Sequence, residues 1–231
     1  MEAIPWRTTS LDRLVDDILD KFDDFPWSWY DGIPDPNPDE VTLADCAISI
    51  CMGSNFRQDT EVKDWDALKG TLKPFIDSLL SRFGSSVQLW DDSPAVDNFV
   101  TEFKTCLQAV VPVYNWGVAK LSKTLHRKRP TLIPMLDSRV QNAYLFGPLS
   151  EGMWPNDEDR MDKKVSISRG EQALDDFVAE LKTHLVEIED VIADAQKKSP
   201  HVIPRSLSPV RCLESLVYWR NTSRGAPSGG R

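Results

Sequence analysis

Apolar residues recur every three or four positions along most of the chain, and this helical spacing restricts the fold more than any other feature. No stretch alternates apolar and polar residues long enough to predict a strand. Helices that follow helices predict an all-α, single multi-helix domain, and 231 residues are enough for one sizeable core. The first apolar stripe follows Ser10 and contains Leu11, Leu14, Val15, Ile18, Leu19 and Phe22.

Local capping signals mark several helix starts. Thr42-Leu-Ala-Asp45 and Ser168-Arg-Gly-Glu171 have the capping-box pattern, in which two side chains bind the first backbone amides of a helix. A third apolar stripe, over 64–83, contains Pro74, which predicts a kink or a break there. Two Ser-Pro pairs place a cap before a proline at the first helical position: Ser93-Pro94 and Ser208-Pro209.

The sequence predicts one domain with appendages. We expect an N-terminal extension over 1–9, an all-α domain over 10–220 with a long acidic loop over 147–170, and a disordered tail over 221–231. No run approaches the roughly 20 apolar residues that cross a bilayer, and the N-terminus lacks a signal-peptide pattern. We therefore expect a cytoplasmic protein with no membrane partner.

Cysteines and histidines form no metal-ligand pattern. The three histidines are far apart in sequence, so we expect no metal site. Neither a dinucleotide fingerprint nor a phosphate-binding glycine loop is present, and we expect no cofactor. The cysteines form no C-x-x-C pair, which predicts buried thiols in a reducing compartment: Cys46, Cys51, Cys106 and Cys212.

One segment, 117–139, differs in charge from the rest of the chain. The formal net charge of −9 argues against a protein whose whole surface coats nucleic acid. The segment, however, holds six Lys and Arg residues and one acid, so it would attract an anionic ligand locally. The structural alternative is that 127–129 only end a helix, where cations favour the dipole. That alternative leaves Lys120 and Lys123, about one turn earlier, unexplained.

Asp137 is the only acid in this segment and has two interpretations. Just before a helix that starts near Ser138, its carboxylate would cap backbone amides. Beside a basic site, the same carboxylate would stabilise a developing cation or position a water molecule. His126 would either face that site or pair with Asp137, and the sequence leaves both open.

The run from Ser122 to Asp137, which reads S-K-x-L-H-R-K-R-P-x-L-I-P-x-x-D, resembles the signature of an uncharacterised bacterial domain family with no assigned activity. The proline-rich stretch that leads to Thr42 and the ending from Leu207 to Trp219 agree with that resemblance. The resemblance covers most of 10–220.

More distantly, the same run resembles the helix-hairpin-helix DNA glycosylase superfamily. This resemblance implies a helix-hairpin-helix-like centre, in which amides of a hairpin at Gly117 bind a DNA phosphate. It implies that Asp137 stabilises cationic sugar character or activates the nucleophile, and that Lys120 or Lys123 is the amine of a lyase-type variant. Base excision also needs aromatic groups that stack on the extruded base; Trp116 is a candidate, with core packing as its alternative.

The leading hypothesis is therefore a protein that binds a phosphate-bearing ligand, with DNA favoured, and has a DNA-glycosylase-like reaction as its enzymatic version. The candidate catalytic residues are Asp137, Lys123 and Lys120. The candidate ligand-binding residues are Trp116, Gly117, His126, Arg127, Arg129 and Arg139.

Two alternatives stay open. One is a non-enzymatic α-helical protein-interaction domain, in which an amphipathic helix over 171–195 serves a partner. In that domain a structural ion-pair network fixes the helix connection, formed by Lys123, Arg127, Arg129 and Asp137. The other is an enzyme for a small phosphorylated molecule, which predicts a closed pocket around His126 and Asp137 that is too narrow for a duplex.

Overall fold

The computed structural model describes residues 9–24, 30, 33–50, 65–113, 116–146, 162–204 and 206–220. Nine α-helices and no strand occur in these ranges, which confirms the prediction of an all-α single domain. The helices are α1 (Leu11–Asp24), α2 (Leu43–Ile50), α3 (Lys73–Arg82), α4 (Pro94–Ala109), α5 (Val118–His126), α6 (Ser138–Phe146), α7 (Lys163–Thr183), α8 (Leu185–Lys198) and α9 (Pro209–Arg220).

Helix starts are confirmed where a short local pattern marks them. Helix α1 begins directly after Ser10, and α4 and α9 begin at their predicted prolines. At the start of α2 the backbone N–H of Thr42 donates to Asp45 Oδ2 at 2.7 Å, as half of a capping box. At α9 the Ser208 hydroxyl accepts a hydrogen bond from the N–H of Arg211 at 3.2 Å.

The chain stays helical through the third apolar stripe, where the sequence predicted a kink or a break at Pro74, but its hydrogen-bonding pattern changes just before that residue. A π-helical turn, Leu68–Leu72, comes immediately before α3. Pro74 then lies in the first turn of α3, where its missing N–H removes no helical hydrogen bond. Both pieces of the stripe reach the core through Leu68, Leu72, Ile76, Leu79 and Leu80.

The prediction of an acidic loop over the whole of 147–170 is wrong, because α7 begins at Lys163. Asp162, at the end of the acidic run, caps this helix: its Oδ1 accepts from the N–H of Lys164 at 2.8 Å. The predicted capping box at Ser168 therefore lies inside the helix. The prediction failed because Asp162 ends an acidic run, which is typical of a loop, and at the same time is the N-cap of α7.

The amphipathic stripe over 171–195 belongs to two helices rather than one. The chain leaves helical geometry at His184, with φ −119° and ψ 23°, and α8 begins at the next residue. Residues 1–8 of the predicted extension over 1–9, residues 147–161 of the predicted loop, and the whole predicted tail over 221–231 lie outside the described residues.

Two short helices, α5 and α9, are buried on nearly all sides. Helices α1, α6 and α8 pack against α9, while α2 and α7 pack against α5. At Gly170 the α7 backbone comes so close to α5 that an added Cβ would lie 2.7 Å from Val118 Cγ2. Helices buried all round are usually apolar, yet these two contain buried Lys, His, Arg and Glu side chains. The fold therefore places charged groups in its core.

The cysteines in the described ranges are buried thiols: Cys46, Cys106 and Cys212. Burial raises the pKa of Cys106 to about 12 and also raises the pKa of Cys212. Cys51 lies outside the described residues. Within the described part of the chain, none of the helices has the length and apolar character needed to span a membrane.

Candidate functional site

The basic segment is buried rather than exposed. Lys120 and Lys123 on α5 are 7% and 6% exposed, and His126 at its end is 1% exposed. Lys128 and Arg129, just after the helix, are 3% and 2% exposed. Because a charge removed from water is costly unless it is paired, the partners of these groups decide what the segment does.

Arg129 is used structurally. Its Nε donates to the carbonyl of Phe83 at 2.6 Å, and its Nη2 donates to the carbonyl of Leu80 at 2.9 Å. The same guanidinium binds the carbonyl of Pro38 at 2.7 Å and Asp39 Oδ1 at 2.6 Å. Arg129 thus closes the C-terminal end of α3 and fixes the proline-rich loop against it.

Lys128 continues this arrangement. Its Nζ lies 2.8 Å from Asp45 Oδ2 on α2 and 3.0 Å from Asp35 Oδ1. It also donates to the carbonyl of Asn37 at 2.9 Å. Lys128 and Arg129, with the oxygens that they bind, form a unit that we call the clamp. The clamp joins the loop over 33–39 to α2 and α3.

Arg127 is less completely used than the clamp residues. Its Nη2 donates to the carbonyls of Ile33 and Pro34, each at 3.1 Å. Its Nη1 lies 3.6 Å from Asp45 Oδ1 and has no hydrogen-bond partner among the described residues. Nη2 of this guanidinium therefore holds the loop, whereas Nη1 keeps an N–H donor that forms no hydrogen bond with a described residue.

Asp137 serves as the predicted helix cap and also has a basic neighbour. Its Oδ1 accepts from the N–H groups of Arg139 and Val140, both at 3.0 Å, which confirms the capping role at α6. Its Oδ2 lies 3.6 Å from Lys123 Nζ. The Arg139 guanidinium lies 5.0 Å from the ring centroid of Tyr218.

Lys21 near this carboxylate escaped the sequence analysis. It is fully buried, with Nζ 3.5 Å from the ring centroid of Tyr218. Burial, aided by the positive charge of Arg211, lowers the pKa of Lys21 to about 6, although Asp137 opposes the shift. The available signal was its position, since Lys21 follows Ile18 by three residues on the apolar stripe of α1.

The N-terminal end of α5 is packed in the core. Trp116 is 1% exposed, and Lys120 Nζ lies 5.6 Å from its ring centroid. Gly117 has φ −152°, an extended conformation open to any residue, and an added Cβ would meet no atom within 4 Å. The helix-hairpin-helix centre is therefore not confirmed.

A pocket lies beside the opposite, C-terminal end of α5, with a volume of about 110 Å³. We call it the His126 pocket. Neither Asp137 nor the two α5 lysines contribute to its lining, so only the His126 half of the predicted small-molecule pocket is present. The residues that matter for its chemistry are Tyr30, Asp35, His126, Arg127, Ser208 and Arg211.

His126 is held in one neutral form. Its Nδ1 lies 2.6 Å from the carbonyl of Ile133, which can only accept, so the ring proton is on Nδ1. Burial lowers the pKa of His126 to about 3, and the positive charge of Arg211 contributes. Nε2 is therefore an acceptor, and it is buried with no hydrogen-bond partner among the described residues.

Arg211 and Glu214 supply a second buried charge pair that sequence reasoning missed. Arg211 Nη1 donates to Glu214 Oε2 at 3.2 Å, and each residue is 2% exposed. Glu214 Oε1 accepts from the backbone N–H of Met135, which ties α9 to the chain after α5. The signal was the spacing, since two opposite charges three residues apart lie on the same face of a helix.

Comparison with known proteins identifies a family and no activity. A family model described as "Family of unknown function (DUF6308)" matches residues 15–221, and the chain therefore belongs to that family. No curated protein and no solved structure matches the chain. Among the described residues, no group of three or more His, Cys, Asp and Glu side chains could hold a metal ion.

Proposed function

We propose that this member of the family binds a small molecule with a phosphate group in the His126 pocket. The observation that supports this is the presence of two guanidinium groups, Arg127 and Arg211, in the wall of a pocket of about 110 Å³. Guanidinium N–H groups match the geometry of phosphate oxygens better than any other side chain does.

The proposal is for a small ligand because of where the cations lie. Binding to a DNA duplex draws on exposed Lys and Arg side chains spread along its phosphates. In the 117–139 segment the charged ends of Lys120, Lys123, Lys128 and Arg129 are turned into the protein. A pocket of this volume accepts a phosphate and a small substituent, and it excludes a duplex.

Two matched variants test the proposal. Arg127 and Arg129 both hold the loop over 33–39, but only Arg127 lines the pocket. Isothermal titration with methyl phosphate should show binding to the wild type. Arg127→Lys, which keeps the charge but loses the planar fork, should weaken affinity about tenfold. Arg129→Lys should leave affinity unchanged while lowering stability.

The result that overturns the proposal is equally direct. Absence of binding by the folded wild type to methyl phosphate and to inorganic phosphate, at low salt, would remove the phosphate-binding function. Equal losses of affinity in Arg127→Lys and Arg129→Lys would place the site elsewhere.

DNA base excision stays as a second candidate, and the environment of Lys21 favours it. An amine with a pKa of about 6 near Asp137 is largely neutral at physiological pH and is therefore nucleophilic. In that reaction the amine bonds to the sugar C1′, the glycosidic bond breaks, and the base departs with the proton that the amine loses. Because Lys21 is fully buried, α1 would have to move first.

Borohydride trapping tests this second candidate. Incubation with abasic-site DNA and sodium borohydride should give a covalent adduct in the wild type and none in Lys21→Met. Anisotropy with single-stranded, duplex and abasic DNA at two salt concentrations gives the affinity, which must fall as salt rises. No adduct and no binding at low salt would eliminate it.

The interaction-domain alternative rests on the ion pairs already described. In it, the pair between Lys123 and Asp137, 3.6 Å apart, and the clamp serve only to fix the helix connection. Asp137→Asn should then lower stability and change the affinity for no phosphate compound. A change in methyl phosphate affinity in this variant would contradict that alternative.

A further inference from the structure

Two residues in the wall of the His126 pocket each have a buried acceptor atom for which the described residues provide no donor. Nε2 of His126 and Oδ2 of Asp35 are both buried, and neither has a hydrogen-bond partner among the described residues. A buried acceptor that leaves water without gaining a partner destabilises the folded chain. Buried polar atoms normally have a hydrogen-bond partner. A ligand that brings hydrogen-bond donors into the pocket would therefore gain binding affinity from these two acceptors.

Neither atom can act as a donor itself. The proton of His126 is on Nδ1, where the carbonyl of Ile133 accepts it. The other oxygen of Asp35 accepts from Lys128 Nζ at 3.0 Å and from the N–H of Asn37 at 3.1 Å. Lys128 Nζ forms an ion pair with this carboxylate at 3.0 Å. Both acceptor atoms, His126 Nε2 and Asp35 Oδ2, therefore require an N–H or O–H donor on the ligand.

The charges around the pocket are balanced. Two cations and one anion line it: Arg127, Arg211 and Asp35. Each of them contacts an opposite charge outside the lining, in the same order: Asp45, Glu214 and Lys128. A fully ionised dianion would bring two charges that this balance does not compensate. The pocket is complementary to a ligand that has both a hydrogen-bond donor, for His126 Nε2 or Asp35 Oδ2, and oxygen atoms for the two guanidinium groups.

We infer, on the basis of the proposed function, that the group bound in the His126 pocket is a phosphate that keeps a proton, as in a phosphate monoester. Its ionised oxygens would meet the guanidinium groups of Arg127 and Arg211. Its P–OH group would donate to His126 Nε2 or Asp35 Oδ2. Sulfate and phosphate diesters carry no proton near neutral pH and would be rejected, because they bring lone pairs to lone pairs.

A comparison of three probes tests the inference without any variant. At pH 6, methyl phosphate should bind the wild type at least about tenfold more tightly than sulfate or dimethyl phosphate. Equal affinities for the three would overturn the inference and leave the proposed function standing. Absence of binding by all three would overturn both.

The pH dependence gives a second readout. The second pKa of a phosphate monoester is about 6, so the protonated fraction falls roughly 50-fold between pH 6 and pH 8, and affinity should fall with it. His126, with a pKa of about 3, stays neutral across that range. Lys21, which lies near Arg211 and has a pKa of about 6, does titrate there. Sulfate measured at both pH values reports the effect of the protein's own titrating groups, Lys21 included, because sulfate does not titrate. A methyl phosphate affinity that changes no more than the sulfate affinity would contradict the inference.

A matched pair of loop variants identifies the acceptor. Asp35→Asn keeps an oxygen for Lys128 and turns the open acceptor into a donor, so the preference for methyl phosphate over sulfate should disappear. Asp39→Asn changes the same loop and removes the negative charge that contacts Arg129, but this side chain is 80% exposed and does not line the pocket. It should keep the preference. A purely structural role of Asp35 would lower both affinities by the same factor and leave their ratio unchanged.

Discussion

The clamp and the His126 pocket are built from neighbouring residues of one basic run, and they differ in how completely their polar atoms are paired. Arg129 in the clamp has as partners one carbonyl of α3, the carbonyl just after that helix, one carbonyl of the loop and a carboxylate. Arg127, two residues earlier, keeps one nitrogen without a hydrogen bond among the described residues. The acceptors follow the same pattern, since Nε2 of His126 in the pocket wall also has no hydrogen-bond partner within the described part of the chain.

This difference separates structure from function within a single charged run. A buried charge whose hydrogen bonds are all made inside the protein stabilises one conformation and has little left to offer a ligand. A buried charge that keeps an open donor next to a cavity can bind one. The number of positive charges in the segment therefore says less about its function than the partners of each charge do.

Loss of the clamp should have the largest effect on stability. Arg129→Ala leaves the carbonyls of Leu80 and Phe83 without their donor and should lower the free energy of unfolding by about 3–5 kcal/mol. Urea denaturation measures this. Arg82→Ala, which removes an exposed ion pair with Glu102 at the end of α3, should cost less than about 1 kcal/mol. Similar losses in both variants would show that Arg129 is not structural.

Replacement of Lys21 should raise stability. Because the pKa of Lys21 is about 6 in the folded chain and 10.5 ordinarily, the unfolded chain binds more protons between these values. The free energy of unfolding therefore rises with pH in this window. Lys21→Met should flatten that rise and add about 1–4 kcal/mol at pH 7. Urea denaturation of both proteins at pH 7 and pH 9 measures this rise. An equal rise in the wild type and in Lys21→Met would show that Lys21 does not titrate as described.

His126 should make the protein sensitive to acid. Its pKa is about 3 in the folded chain against 6.5 ordinarily, so below pH 6.5 the unfolded chain binds more protons. The free energy of unfolding should fall by up to about 1.4 kcal/mol per pH unit as pH drops from 6.5 towards 3.

Thermal melts at pH 6.5 and pH 4.5 measure the sensitivity. His126→Gln should reduce it, whereas His201→Gln, at an exposed position, should leave it unchanged. Equal sensitivity in the wild type and His126→Gln would mean that His126 is not the buried neutral group described.

Gly117 should have the smallest effect, which sharpens the contrast between the two ends of α5. Since an added Cβ would meet no atom within 4 Å, Gly117→Ala should change stability by no more than about 0.5 kcal/mol and leave methyl phosphate binding intact. Gly170→Ala, where α7 meets Val118, should cost about 1–3 kcal/mol. Loss of phosphate binding in Gly117→Ala would move the phosphate site to the predicted hairpin.

Features of the fold that depend on a few adjacent residues were predictable. The helical spacing gave the all-α class, and the capping patterns at Thr42 and Ser208 gave helix starts, since each involves contacts within one turn. Pro74 marked the place in the third stripe where the helix changes from π to α hydrogen bonding. The start of α7 was missed because the cap, Asp162, is also the end of an acidic run.

The candidate site was predictable only in part, because its partners are distant in sequence. Asp137 as a cap needs only Arg139 and Val140, and it was foreseen. The oxygens that bind Arg129, by contrast, come from residues 46 and 91 positions away. No local sequence pattern predicts such distant pairing. A basic run whose charges are paired inside the fold therefore has the same sequence signature as a basic run that is exposed to DNA.

Nitrogen-15 NMR of the histidine side chains tests the central claim most directly. The chain has three histidines, so His126 is readily assigned with the His126→Gln variant. The account predicts a neutral ring with its proton on Nδ1 at pH 7, and an Nε2 signal that shifts when methyl phosphate is added and stays in place with sulfate. An imidazolium signal, or an Nε2 signal that methyl phosphate leaves unchanged at saturation, would contradict it.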